Sequence, residues 1–191
     1  EFRGGQGGIA GPSANRFGHV SPTTAQHVID EFGAPGAGPV ACVLDGGQSD
    51  VGIESTIVDL TRMDTLGPVL LRPGQISAAQ IAEVLGRAPA TPDAAAPRVS
   101  GSLDAHYAPV AKVILNSAAG YGDGFIALAE IPTPPGAIRL AAPKNNDAYA
   151  QELYAALRSG DAQGIEKIIT IPPSGDDIAV AIRDRLNRAA N

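Results

Sequence analysis

Between residues 87 and 105 the chain loses any apolar period: Pro89, Pro92 and Pro97 alternate with Ala, Thr and Asp. Proline lacks the amide N–H and drives the residue before it out of the helical region, so such a run sustains neither helix nor strand. Whatever this chain folds into must be built on either side of the break. The 191 residues, 44% of them apolar, suffice for two small cores. The division expected is therefore a first lobe over residues 1–86, a linker over 87–109 and a second lobe over 110–191.

Periodicity fills in both lobes. Residues 22–33 read as a helix capped by Ser21, with Pro22 at its first position and Ala25, Val28, Ile29 and Phe32 at helical spacing before Gly33. Val40–Leu44 reads as a buried strand carrying the single cysteine, Cys42, and stopped by Asp45-Gly46-Gly47. Thr56–Leu60 and Val69–Leu71 read as two more strands. Ser77 then caps a helix on which Ala78, Ile81, Ala82 and Leu85 share a face, with Gly86 ending it. Beyond the linker, strands are expected at Ala111–Leu115, Phe125–Leu128, Ala137–Leu140 and Ile165–Ile171, and helices near 147–159 and 176–190. This alternation predicts a layered α/β unit.

Charge and cysteine content narrow the function classes. With 14 basic against 20 acidic residues, the net charge of −6 disfavours a surface that binds nucleic acid tightly without regard to sequence. One cysteine forms no internal disulfide, no apolar stretch approaches the roughly 20 residues of a membrane span, and no basic-then-apolar leader opens the chain. A reducing, cytoplasmic setting is the expectation. The opening run Gly4-Gly5-Gln6-Gly7-Gly8 leads directly into Ile9-Ala10-Gly11-Pro12-Ser13, which reads as a strand end entering a functional loop, so further sequence is expected upstream.

Four segments hold the polar groups that chemistry would need. Pro12–Thr24 places hydroxyls, an amide and Gly18 ahead of a helix N-terminus, where free backbone N–H groups and the helix dipole suit a phosphate; an ordinary capping loop has the same composition. Asp45–Thr56 is punctuated by glycine and ends in Glu54, Ser55 and Thr56, as a ligand-approach loop or a polar hairpin would. Leu70-Leu71-Arg72-Pro73-Gly74 puts a guanidinium at a strand end, able to pair with phosphate or simply solvated. Ser100–Pro109 carries His106, either a general base or a hydrogen-bonded structural histidine. Gly11-Pro12-Ser13-Ala14-Asn15 lacks the last glycine of a nucleophile elbow, and the Gly-rich opening lacks the Lys-Ser/Thr of a Walker loop. His19, His27 and Cys42 stand at no zinc-ligand spacing, so no metal site is expected.

Taken in order, the strings PSANRFGHVSPTT, DGG-x4-GIESTIVDL, LLRPG and SG-x4-HYAP resemble the Sua5/YrdC family of threonylcarbamoyl-adenylate synthases, in the longer form that carries a Sua5-type second domain. The resemblance implies an α/β fold. Residues 1–86 would be the second half of a YrdC-like twisted α/β catalytic domain, 87–109 a linker closing over the active site, and 110–191 a small Rossmann-like Sua5-type domain. It further implies that bicarbonate, L-threonine and ATP, with Mg²⁺, are converted to threonylcarbamoyl-AMP and pyrophosphate, which downstream threonylcarbamoyl-transfer machinery would use on tRNA.

Carried over residue by residue, the resemblance makes Ser13, Asn15, Ser21, Arg72 and Ser100 ATP-side residues, Gly11 and Ser55 threonine-side residues, and His106 and Tyr107 anchors of the lid. It supplies no catalytic residue. Family members carry a first half-domain with a basic K-x-R element that these 191 residues lack. Exposed sheet edges and apolar surface are expected where that half would pack. Two other readings remain at this point. One is a carbamoyl-adenylate-forming relative of the hydrogenase-maturation type, against which the SG-x4-HYAP string argues. The other is a noncatalytic RNA-binding module, against which the acidity and the lack of an aromatic stacking pattern argue.

Overall fold

The computed structural model describes residues 2–7, 11–101 and 106–191. A short 3₁₀ turn at Phe2–Gly5 opens it. Helix α1 (Ala25–Phe32) begins three residues later than the sequence predicts, and its N-cap is Thr24, whose hydroxyl accepts from the His27 N–H. Ser21 is therefore not the cap. Pro22 holds Ser21 outside the helical region, and the Ser21 hydroxyl is engaged elsewhere, donating to Glu54 Oε1 at 2.6 Å. The expected strand at Val40–Leu44 does not form, and Cys42 is exposed rather than buried. A strand needs a neighbour for its N–H and C=O groups, and among the described residues none stands beside this run.

Strands β1 (Ile57–Asp59) and β2 (Val69–Arg72) form an antiparallel pair. Helix α2 (Ala78–Leu85) follows as read: Ser77 and Gln80 make a reciprocal capping box, and Gly86 closes the helix in the left-handed conformation. The proline-rich stretch is less free than its composition implies. Leu70 donates to the Ala90 carbonyl at 2.9 Å and Ala90 donates to the Pro68 carbonyl at 2.8 Å, extending the β2 edge.

From residue 112 the chain forms a four-stranded parallel sheet from β3 (Lys112–Leu115), β4 (Gly124–Ile126), β5 (Ile138–Ala141) and β6 (Lys167–Thr170), in spatial order β3-β6-β4-β5. Helix α3 (Asn146–Ala162) packs on β4 and β5, α4 (Ile178–Ala189) packs on β3, and the two helices pack on each other. Their buried faces supply most of the main core, including Tyr149, Leu153, Tyr154, Leu157, Ile182 and Leu186. A smaller cluster of Phe125, Ala127 and Ile169 lies apart from it.

Besides the packing of loop 48–53 on α3, two sets of contacts join the lobes. Glu31 of α1 accepts from Arg158 of α3 at 3.0 Å and pairs with His19 at 3.0 Å, while Arg158 also donates to the Val20 carbonyl. The second set, centred on Glu54, forms part of the site described below. No residue of α1 is buried, and Phe17 and Leu44 are 82% and 89% exposed, so apolar surface does lie open on the first lobe.

Candidate functional site

The four polar segments converge. Gly11, Ser13, Ser55, Arg72, Ser100, His106 and Tyr107 line one cavity of about 420 Å³, together with Pro12 and Glu54. Seven of the nine residues singled out from sequence thus share one space. A neighbouring cavity of about 430 Å³ is bounded by Ser21, Thr23 and the loop 49–54. Ser13 and Glu54 belong to both, so the two chambers meet there. Ser21 lines the second chamber, whereas Asn15 lines neither. The Asn15 amide is turned inward to its own loop, donating to the Arg16 and His19 carbonyls at 2.9 and 3.0 Å.

Arg72 ends β2 and is only 7% exposed. Its Nε donates to the Ser55 carbonyl at 3.0 Å, its Nη1 to the Ser100 carbonyl at 2.9 Å, and its Nη2 lies 3.4 Å from Ser55 Oγ. The guanidinium therefore ties the loop before β1 to the linker as well as presenting positive charge to the cavity. Ser100 participates through its carbonyl. Gly74, two residues on, lets this turn touch the same loop: a Cβ there would lie 2.3 Å from the Thr56 nitrogen.

The end of the linker is strapped down from both sides. His106 donates its N–H to the Arg188 carbonyl at 3.2 Å, and Ala108 donates to the Gly18 carbonyl at 3.0 Å. Tyr107, with φ of 60° and almost fully buried, stacks on Tyr154 at 5.6 Å. Burial, together with the nearby arginines, holds His106 below its ordinary value, which keeps the ring neutral near pH 7. Its Nδ1 is buried and has no partner among the described residues. Residues 102–105 of the expected lid, like Ile9 and Ala10 ahead of Gly11, lie outside the described residues.

The sequence reading missed the hub of this site. Glu54 Oε1 accepts from Ser21, and Oε2 accepts from Tyr154 Oη at 2.9 Å and from Arg185 Nε at 2.8 Å. Burial pushes the Glu54 carboxyl up, but the Arg185 charge and the Ser21 and Arg185 hydrogen bonds together push it further down, so it is ionised at neutral pH. One signal for Arg185 was present: it stands at helical spacing within the apolar stripe of Ile178, Ile182, Leu186 and Ala189. A charge in that stripe has to find a buried partner.

Residues 76–191 match a family model described as "Threonylcarbamoyl-AMP synthase, C-terminal domain", and residues 3–74 match the Sua5/YciO/YrdC model described as "Telomere recombination". The chain is 31% identical to a threonylcarbamoyl-AMP synthase of Pyrococcus abyssi, with 95% of the chain and 57% of that protein aligned. It is 33% identical to that of Bacillus subtilis, again with 95% of the chain and 57% of the relative aligned. In structure it resembles P. abyssi Sua5 complexed with L-threonine, with a TM-score of 0.75 and 29% identity over 94% of this chain and 56% of that one. The chain spans about half the length of the curated relatives it matches.

Proposed function

Because the chain belongs to the threonylcarbamoyl-AMP synthase family, whose C-terminal model covers residues 76–191, we propose that its paired cavities are part of a site joining L-threonine, bicarbonate and ATP. The observation that carries this reading is the meeting of Gly11, Ser13, Ser55, Arg72, Ser100, His106 and Tyr107 around one cavity. In the reaction, the threonine amino nitrogen bonds to the carbon of bicarbonate-derived CO₂ and loses a proton. An oxygen of the resulting carbamate then attacks the α-phosphorus of ATP. The bond from that phosphorus to the bridging oxygen breaks, pyrophosphate leaves, and threonylcarbamoyl-AMP remains for transfer to tRNA by other proteins.

Two chambers that meet at Ser13 suit two substrates that must meet. L-threonine is assigned to the side of Gly11 and Ser55, and the nucleotide to the side of Ser13 and Ser21. Arg72 serves both, as a fixed charge near the phosphates and as the tie that orients Ser55. Asn15 supports the loop without touching substrate. Mg²⁺ would accompany ATP, held mainly by its phosphates. Residues 1–86 are assigned to the catalytic domain, 87–109 to a linker that closes it and 110–191 to the second domain. As part of this reading the protein works in the cytoplasm. No helix among the described residues is long and apolar enough to cross a membrane.

Ser55→Ala tests the threonine side. In the full-length product of the gene encoding these residues, threonine affinity measured by calorimetry with ATP and Mg²⁺ should fall by about 1–3 kcal/mol, because a bound polar group loses its partner. ATP affinity should barely change. Equal threonine affinity in parent and variant would remove Ser55 from the site. Arg72→Ala should weaken ATP use by about 1.5–3 kcal/mol if the phosphate contact is made in a water-poor site. An unchanged KM for ATP and an unchanged kcat would reduce Arg72 to a tie between Ser55 and Ser100.

A further inference from the structure

Arg185 touches three of the four site segments without lining either chamber. Its Nε bonds Glu54 Oε2, its Nη2 reaches the Pro73 carbonyl at 3.1 Å and the Glu54 carbonyl at 3.5 Å, and its guanidinium carbon lies 5.3 Å from the centre of the Tyr107 ring. Glu54 precedes Ser55, Pro73 follows Arg72, and Tyr107 closes the linker. Through Glu54 the same network extends to Ser21 in the first segment and Tyr154 on α3. Arg185 itself is 1% exposed in the apolar stripe of α4, where an apolar side chain would pack without the cost of desolvating a charge.

Resting on the assignment above, we propose that Arg185 of the second lobe is a positioning residue for L-threonine, setting the loop that presents Ser55 from behind the cavity wall. The nucleotide side depends on it less. Its reach to that side is indirect, through Ser21 on Glu54 Oε1, whereas it holds both the carboxylate and the carbonyl of Glu54, the residue next to Ser55. Lysine cannot replace this arrangement, because one ammonium lacks the planar fork that spans Glu54 and Pro73 together. The second lobe thereby takes part in building the amino-acid site.

The test uses the full-length gene product, with Arg185→Lys and Arg185→Met assayed for pyrophosphate release while threonine and ATP are titrated separately. Arg185→Lys keeps the buried charge beside Glu54, so it should stay folded by circular dichroism while its KM for threonine rises roughly tenfold or more. Its KM for ATP should rise by about threefold at most, since on the nucleotide side only Ser21 is bonded to Glu54 and Arg72 keeps the Ser100 carbonyl. Arg185→Met should raise the threonine KM at least as far, and if it does not fold, the lysine variant decides. A folded Arg185→Lys with the parental threonine KM, or with both KM values unchanged and only kcat lowered, would make Arg185 a structural tie and overturn the proposal. A parent that releases no pyrophosphate in response to threonine would instead overturn the assignment of the site, a failure visible before either variant is made.

Discussion

Glu54→Ala is expected to lower the free energy of unfolding by about 3 kcal/mol, the low end of what breaking a buried ion pair costs. The substitution strands the Arg185 guanidinium and takes an acceptor from both Tyr154 Oη and Ser21 Oγ. The low end applies because Arg185 Nη1 keeps its 2.6 Å contact with Asp184 Oδ2. Denaturant unfolding of parent and variant measures the difference, and a loss under about 1 kcal/mol would place the pair among ordinary surface ion pairs. The pH dependence carries a sign. The folded-state Glu54 carboxyl lies below its ordinary value, so its contribution is present above the unfolded value near about 4.3 and is lost as pH falls through the lower folded value. The gap between parent and variant should therefore be full at pH 7 and narrow below about pH 4.

Gly52→Ala is expected to cost about 2–4 kcal/mol, adding a left-handed backbone penalty to an overpacked contact. Gly52 has φ of 82°, and a Cβ there would lie 2.4 Å from Gln151 Cα and 2.5 Å from the Ala150 carbonyl oxygen. Those atoms belong to the backbone of α3 and do not swing aside as a side chain would. The loop would have to leave the helix, carrying Glu54 and Ser55 with it. Gly47 is the control: its φ is 87° but its Cβ position is open, so Gly47→Ala should cost only the backbone term, about 1 kcal/mol. Equal unfolding midpoints for the two variants would show that the close approach of loop and helix has no energetic weight.

The sequence was most legible where local chemistry decides the outcome. The Ser77 cap, the Gly86 end of α2 and the alternating strands and helices after residue 110 all form as read. It was least legible where a distant residue decides. Ser21 looks like a helix cap until Glu54, 33 positions away, takes its hydroxyl. Val40–Leu44 has the composition of a buried strand but no strand beside it among the described residues. The line of the cavity was foreshadowed by four motifs. Its support was not, because Tyr154 and Arg185 lie 100 and 131 positions from the carboxylate they hold.

Under the proposed reading, the α1 face with no buried residue and the exposed Phe17 and Leu44 are where a further half-domain would pack. Electrostatics point the same way. The chamber assigned to the nucleotide is lined by serines, Thr23, Asp50 and Glu54, and the guanidinium assigned to the phosphates, Arg72, lines only the adjoining chamber. A triphosphate needs basic groups to balance its charge as pyrophosphate departs.

The most direct test is therefore a pyrophosphate-release assay on the 191-residue chain and on the full-length gene product, each with ATP and Mg²⁺ and with L-threonine and bicarbonate added singly and together. The full-length protein is expected to release pyrophosphate only when both L-threonine and bicarbonate are present, and the 191-residue chain to release none. Release by the full-length protein that is indifferent to threonine, or robust threonine-dependent release by the 191-residue chain alone, would contradict the account.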